Sequence, residues 1–210
     1  MAAKLIPAIL TDNPDKLEKM MRAVETMADE AHIDFMDGEF VETLSIPAQS
    51  LIACHPTIDL EAHLMVKRPD AFIVPFKETM VKRIIFHAEA VDNIDFMIRL
   101  FKDEGFRAGL AINPETPVEY VLEHLPEVDL VHFLTVHPGR QGNPFQPTVL
   151  DKMRSLRKTW STGTISVDGG IKIDNIEEVV RAGADRVIVG SALWQSTNPK
   201  QTFLELKKKL

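Results

Sequence analysis

The stretch Val91-Asp92-Asn93-Ile94-Asp95-Phe96-Met97-Ile98-Arg99-Leu100-Phe101-Lys102-Asp103-Glu104-Gly105-Phe106-Arg107-Ala108-Gly109-Leu110-Ala111-Ile112 holds one helix-to-strand unit. Ile94, Met97, Ile98 and Phe101 recur every three to four residues, which predicts an amphipathic helix over Val91–Glu104. Gly105 supplies the stop. Arg107–Ile112 is then a short apolar run, the pattern of a buried strand.

The same unit repeats in both directions. Further strands are predicted at Lys4–Leu10, Ala31–Met36, Asp59–Met65, Arg83–His87, Leu130–Val136, Thr164–Val167 and Arg186–Val189. Helices are predicted after the Thr11-Asp12-Asn13-Pro14 cap, at Pro117–Leu125, Pro147–Thr159, Ile173–Ala182 and Pro199–Lys209, with shorter ones at Ala48–Cys54 and Pro69–Thr79. Strict alternation implies a parallel sheet with helical crossovers. Eight units of about 26 residues fit a (β/α)8 TIM barrel near its lower size limit. An open doubly wound sheet would carry a GxGxxG after its first strand, and none is present. No linker or low-complexity tract divides the chain, so residues 1–210 are read as one domain.

Composition narrows the function classes. Apolar residues make up 45% and charged residues 26%, an ordinary globular balance. A net charge of −7 argues against nucleic acid or an anionic membrane surface as partner. The single cysteine, Cys54, excludes an internal disulfide and fits a reducing cytoplasm; it reads as a small buried hydrophobe. The apolar run in MAAKLIPAIL is too short for a secretory leader, and no run is long enough to span a membrane. Met20, Met21 and Met27 read as core, and His55 and His124, near helix ends, as exposed.

A barrel of this kind places its chemistry at the carboxyl ends of the strands. On the second strand, alternation puts His32, Asp34 and Met36 on one face and Ile33 and Phe35 on the other. Ile33 and Phe35 suit the helix-packed side, so His32 and Asp34 point into the barrel, where an unpaired carboxylate is costly. His63 and Met65 repeat the arrangement on the third strand, and the seventh ends at Asp168. Two His and two Asp converging from three strands suit a divalent cation with nitrogen and oxygen ligands. The bland alternative is that each His is a satisfied core residue and each Asp a helix cap.

A second constellation is glycine-based. Asp168-Gly169-Gly170 and Gly190-Ser191 fall after strands seven and eight, where barrels present backbone N–H groups to phosphate. The His137-Pro138-Gly139-Arg140-Gln141-Gly142-Asn143 loop can close over such an anion. Glycines also serve as plain turn residues.

These residues carry a resemblance. Ile6-Pro7-Ala8-Ile9-Leu10, His32-Ile33-Asp34-Phe35-Met36-Asp37-Gly38, His63-Leu64-Met65-Val66, Asn113-Pro114-Glu115-Thr116-Pro117, Thr135-Val136-His137-Pro138-Gly139, Val167-Asp168-Gly169-Gly170-Ile171 and Gly190-Ser191 follow one another as they do in ribulose-phosphate 3-epimerases. The chain resembles that family over nearly its whole length. The resemblance implies one divalent metal ion (zinc, iron, manganese or cobalt) on His32, Asp34, His63 and Asp168. It implies that Asp34 removes the C3 proton of a ketose 5-phosphate, that Asp168 delivers one to the opposite face, and that the metal stabilises the cis-enediolate. It further implies an enediolate lined by Met36 and Met65, with Leu134 where a third methionine is usual. Sugar and phosphate contacts would come from His63, Gly139, Arg140, Gln141, Gly142, Gly169, Gly170, Gly190 and Ser191. Relatives are usually homo-oligomers, which is expected here too.

The departures lie around the substrate. The family's usual serine is Ala8, its P-G-F-G-G-Q loop runs Pro138-Gly139-Arg140-Gln141-Gly142-Asn143, and the P-N after its F-V is Glu42-Thr43. The resemblance makes ribulose 5-phosphate to xylulose 5-phosphate the leading reaction. A 3-epimerase of another ketose phosphate, such as allulose 6-phosphate, is the enzyme alternative, and a non-catalytic sugar-phosphate-binding or scaffold barrel is the third. A decarboxylase-like reading would need D-x-K-x-x-D on a strand, and Asp59-Leu60-Glu61-Ala62-His63 lacks that lysine.

Overall fold

The computed structural model describes residues 2–139 and 143–210. Eight parallel strands close into a barrel in chain order: β1 (Lys4–Ile9), β2 (Glu30–Met36), β3 (Asp59–Met65), β4 (Val81–His87), β5 (Arg107–Ile112), β6 (Leu130–Leu134), β7 (Ile165–Asp168) and β8 (Arg186–Val189). The expected barrel is the fold observed. Strand β8 returns to β1 with Ile6 opposite Ile188, which completes the closure.

Helices α1 (Pro14–Glu25), α2 (Gln49–Cys54), α3 (Ile73–Phe76), α4 (Ile94–Asp103), α5 (Val149–Thr159), α6 (Ile176–Arg181), α7 (Ser191–Trp194) and α8 (Pro199–Lys207) form the outer shell. Their starts follow the cap chemistry in the sequence. Asn13, Asn93 and Asn198 each accept an N–H from three residues on, and Pro14 and Pro199 open their helices. Helix α4 buries Ile94, Met97, Ile98 and Phe101 as its spacing requires.

Four expectations shift. The helix expected at Pro117–Leu125 is a 3-10 turn over Val118–His124, because its buried residues Val118, Val121 and His124 keep a strict spacing of three. That turn buries His124 against Asp95, with Nδ1 2.6 Å from Oδ1, so His124 is not exposed. Pro69–Thr79 breaks into a 3-10 turn at Pro69–Phe72 and the single turn α3. Strand β6 ends at Leu134, short of the expected Val136, although the Thr135 N–H still reaches the Asp168 carbonyl at 2.8 Å and its hydroxyl the same carbonyl at 2.9 Å. Cys54, Met20 and Met21 are buried, as read from the sequence.

Strand alternation divides the interior in two. Ile33, Phe35, Leu64, Ile84, Phe86, Val131, Phe133 and Val187 join the large core between barrel and helices. Inside the barrel, apolar packing forms small clusters: Ile6–Ala8–Ile188, Ile85–Ala111–Leu130 and, at the carboxyl end, Met36–Met65 with Val41. The remaining interior holds His32, Asp34, Glu61, His63, Arg83, His87, His132 and Ser166, all buried. Burying that many polar groups is expensive unless each is matched, so their pairing locates the chemistry.

Candidate active site

The cavity at the carboxyl ends of the strands is lined by Ala8, Asp34, Met36, His63, Met65, Leu134, Gly139, Asp168, Gly169, Gly170, Gly190 and Ser191, among others. Most of the residues expected from sequence therefore meet in one place. Arg140, Gln141 and Gly142 lie outside the described residues. His32 sits one layer deeper, fully buried beneath the cavity floor.

Asp34 is the hub. Its Oδ1 lies 2.9 Å from His63 Nδ1 and 3.3 Å from His32 Nε2. Strand register explains the first contact, because Asp34 pairs directly with His63 across β2 and β3. The far nitrogen of each ring is anchored. His32 Nδ1 meets Glu61 Oε1 at 2.9 Å. His63 Nε2 meets His87 Nε2 at 3.0 Å, and His87 Nδ1 meets Glu89 Oε2 at 3.2 Å.

This chain of contacts constrains the proton positions. Ionised Glu89 only accepts, so His87 Nδ1 carries a proton and the Nε2 of a neutral His87 is a lone pair. In that tautomer His63 donates from Nε2 and presents Nδ1 to the Asp34 carboxylate; in the other it donates from Nδ1 to Asp34. His32 Nδ1 likewise donates to Glu61. Two imidazole nitrogens and a carboxylate oxygen turned on one another need positive charge between them, either protons or a metal cation. Anchored outer nitrogens behind bare inner ones are the usual support of metal-ligating histidines.

The electrostatics agree. Burial disfavours charge on His32, but Asp34 and Glu61 outweigh it and raise the ring to about 10. Burial also works against ionised Asp34, yet His32 and His63 hold its carboxyl well below the usual carboxylate range. Asp168 moves the other way: burial, reinforced by the Asp34 charge, pushes it up to about 7. Burial lowers His63 to about 4. For Glu61, burial is overcome by His32, Arg186 and Arg83, which hold it at about 2. Two carboxyls on one cavity are thus driven apart, the condition that separates an acid from a base.

His32, His63, His132 and Asp168 each offer a ligand atom, and these atoms lie within 4.8 Å of one another, forming a group able to hold a metal ion. Asp34 adjoins two of them. His132 is the residue that sequence reasoning missed. Its signal was available, since alternation on β6 places His132 on the same face as Leu134. His87 and Glu61 were likewise legible as inward-facing positions of β4 and β3.

Around the polar floor, Met36, Met65 and Val41 pack with Leu10 and Phe40 into an apolar wall. Gly169 and Gly170 adopt φ of +113° and +62°, and a side chain at Gly169 would meet Val136 Cγ2 at 2.7 Å. Only glycine suits that turn, which brings bare backbone to the cavity edge. Ala8 contributes no side-chain donor, while its carbonyl accepts the Trp194 indole N–H at 2.6 Å. Among the described residues no helix is long and apolar enough to cross a membrane.

Comparison with known proteins meets this geometry. The model of the ribulose-phosphate 3 epimerase family matches residues 4–194. Ribulose-phosphate 3-epimerase 2 of Cupriavidus necator is 38% identical over 204 residues, covering 92% of this chain and 85% of that protein. The ribulose-phosphate 3-epimerases of Mycobacterium leprae and Escherichia coli K12 are 35% and 33% identical, covering 100% and 98% of this chain and 96% and 95% of their own. Among solved structures, a 3-hexulose-6-phosphate synthase aligns with a TM-score of 0.72 at 16% identity, covering 100% of both chains. The orotidine 5'-phosphate decarboxylase of Pyrococcus horikoshii aligns with a TM-score of 0.71 at 14% identity, covering 98% of each. Those two share the barrel fold. From the family match and the full-length relatives, the chain belongs to the ribulose-phosphate 3-epimerase family.

Proposed function

We propose that this chain, as an isomerase of that family, interconverts D-ribulose 5-phosphate and D-xylulose 5-phosphate by moving the C3 proton between faces of the sugar through a cis-enediolate. One observation carries the reading: Asp34 and Asp168 reach the same cavity from β2 and β7, which are not neighbouring strands. Inverting one carbon requires a base on one face and an acid on the other. Asp34 takes the proton from C3, and Asp168 returns one from the opposite side. In the reverse direction their roles exchange.

His32, Asp34, His63 and Asp168 would hold one divalent ion, of zinc, iron, manganese or cobalt type, and the imidazole nitrogens beside Asp34 support that fit. When bound, such an ion supplies Lewis acidity that stabilises negative charge developing on the sugar oxygens. His87 and Glu89 fix the His63 ring, and Glu61 fixes the His32 ring. Met36, Met65 and Leu134 keep water from the reacting carbon. Backbone amides near Gly169, Gly170, Gly190 and Ser191, with Gly139 at the loop, would take the phosphate. Arg140, Gln141 and Gly142 belong to the same proposed contact. A cytoplasmic location, a single catalytic domain over 1–210 and assembly with copies of itself complete the reading.

A second reading, the same C3 chemistry on another ketose phosphate such as allulose 6-phosphate, is favoured by Ala8, which offers the cavity no hydroxyl. Measuring kcat/KM across ketose phosphates separates the two. Ribulose 5-phosphate is expected to lead the panel. A hexulose 6-phosphate ahead of it would transfer the assignment, and no turnover of any member in metal-loaded protein would favour a non-catalytic barrel.

A further inference from the structure

We propose that His132 is a third imidazole donor to the cation held by His32, Asp34, His63 and Asp168. The proposal deepens the metal-site reading above and rests on it. Strand alternation turns His132 into the barrel, away from Val131 and Phe133, which join the outer core. The ring is fully buried. Its Nδ1 lies 3.0 Å from Ser166 Oγ, directly across the β6–β7 ladder, where His132 pairs with Ser166. Its Nε2 has no hydrogen-bond partner.

Among the described residues, His132 Nε2 and His32 Nε2 are the buried imidazole nitrogens left without a hydrogen-bond partner. The two rings stack at 5.4 Å with planes 17° apart, and the His63 ring centroid is 4.8 Å from that of His132. A ligand atom of His132 falls within 4.8 Å of those of His32, His63 and Asp168. A core histidine kept only for packing would satisfy both nitrogens, because buried polar atoms are costly when orphaned and are nearly always paired. His87 shows that alternative: its nitrogens face His63 and Glu89, and it lies outside the group of converging ligand atoms. His132 instead repeats the His32 pattern, with an anchored outer nitrogen and a bare inner one.

A neutral imidazole has one N–H and one lone pair. With the Nδ1 proton donated to Ser166, the lone pair on Nε2 faces the other donors. The site then offers three nitrogens and two carboxylates. That set favours borderline cations such as zinc or cobalt over magnesium or calcium, which prefer oxygen alone.

The test begins with the unsubstituted protein loaded with zinc, whose X-ray absorption fine structure counts coordinated imidazoles. Three are expected. The His132→Leu variant, which keeps the apolar volume without a donor, is then titrated with cobalt(II) against a competing chelator, its fold checked by circular dichroism. Its affinity should fall by at least about tenfold, the lower end of what losing even a supporting residue costs, with a changed visible cobalt spectrum. Two imidazoles in the unsubstituted protein would overturn the His132 proposal and leave the four-residue site standing. Absence of stoichiometric zinc or cobalt binding would overturn both.

Discussion

The two ends of the barrel interior are both charged and both buried, yet they are built on opposite principles. At the amino end, Glu61 Oε2 meets Arg83 at 3.0 Å and Arg186 at 2.6 Å, while Glu30 reaches the same two guanidinium groups. Carboxylate and guanidinium neutralise each other there. At the carboxyl end, imidazole nitrogens of His32 and His63 face the Asp34 carboxylate, and His132 leaves Nε2 unpartnered. The lower end pairs fixed charges of opposite sign, whereas the upper end gathers imidazoles and carboxyls in a group able to hold a metal ion. Glu61 joins them, holding His32 with one oxygen and the arginines with the other. One barrel interior thus carries an ion-paired cluster at its amino end and the candidate site at its carboxyl end.

The largest break in that comparison comes from Asp34→Asn. Losing the base should lower kcat by on the order of 10³-fold or more, measured as conversion of ribulose 5-phosphate by the folded fraction. Next is Glu61→Gln at the junction. Removing one partner of a buried ionic cluster costs roughly 3–5 kcal/mol, to be read from urea unfolding of metal-free protein. The same variant should bind cobalt(II) about 10–100-fold more weakly, because His32 loses its anchor. Unchanged stability would show that Glu30 alone satisfies the two arginines.

Metal addition sharpens the contrast from the other side. A cation at 100 times its Kd should stabilise the fold by about 2.7 kcal/mol. For a chain of this size that raises Tm by roughly 5–10 °C, and chelation should reverse it. An equal gain in Asp34→Asn would locate the cation elsewhere. The smallest effect is expected at the cavity rim: Ala8→Ser adds one neutral donor and should change kcat/KM by up to about tenfold.

The barrel was legible because alternation of strand and helix survives in periodicity, as at Ile94–Phe101 followed by Arg107–Ile112. The floor of the site was legible because alternation within β2 and β3 assigns each residue to a face. His132 was less legible because it lies mid-strand, two residues before the strand end at Leu134 on the same face. Arg83 and Arg186 were opaque for a different reason. Each stands at or near the start of its strand, where a charge reads as solvent-facing, and Arg186 pairs with Glu61 from 125 positions away. His124 misread as exposed because a 3-10 turn, with its period of three, turns it inward where an α-helix would not.

The central claim is that Asp34 and Asp168 serve opposite faces of one carbon. It is tested most directly by proton NMR of the metal-loaded protein with ribulose 5-phosphate in deuterated water, comparing the unsubstituted chain with Asp34→Asn and Asp168→Asn. The account predicts loss of the C3 proton signal together with xylulose 5-phosphate for the unsubstituted chain, and neither for Asp34→Asn. For Asp168→Asn it predicts exchange at C3 with little or no xylulose 5-phosphate. Xylulose 5-phosphate formed at an undiminished rate by either variant would contradict it.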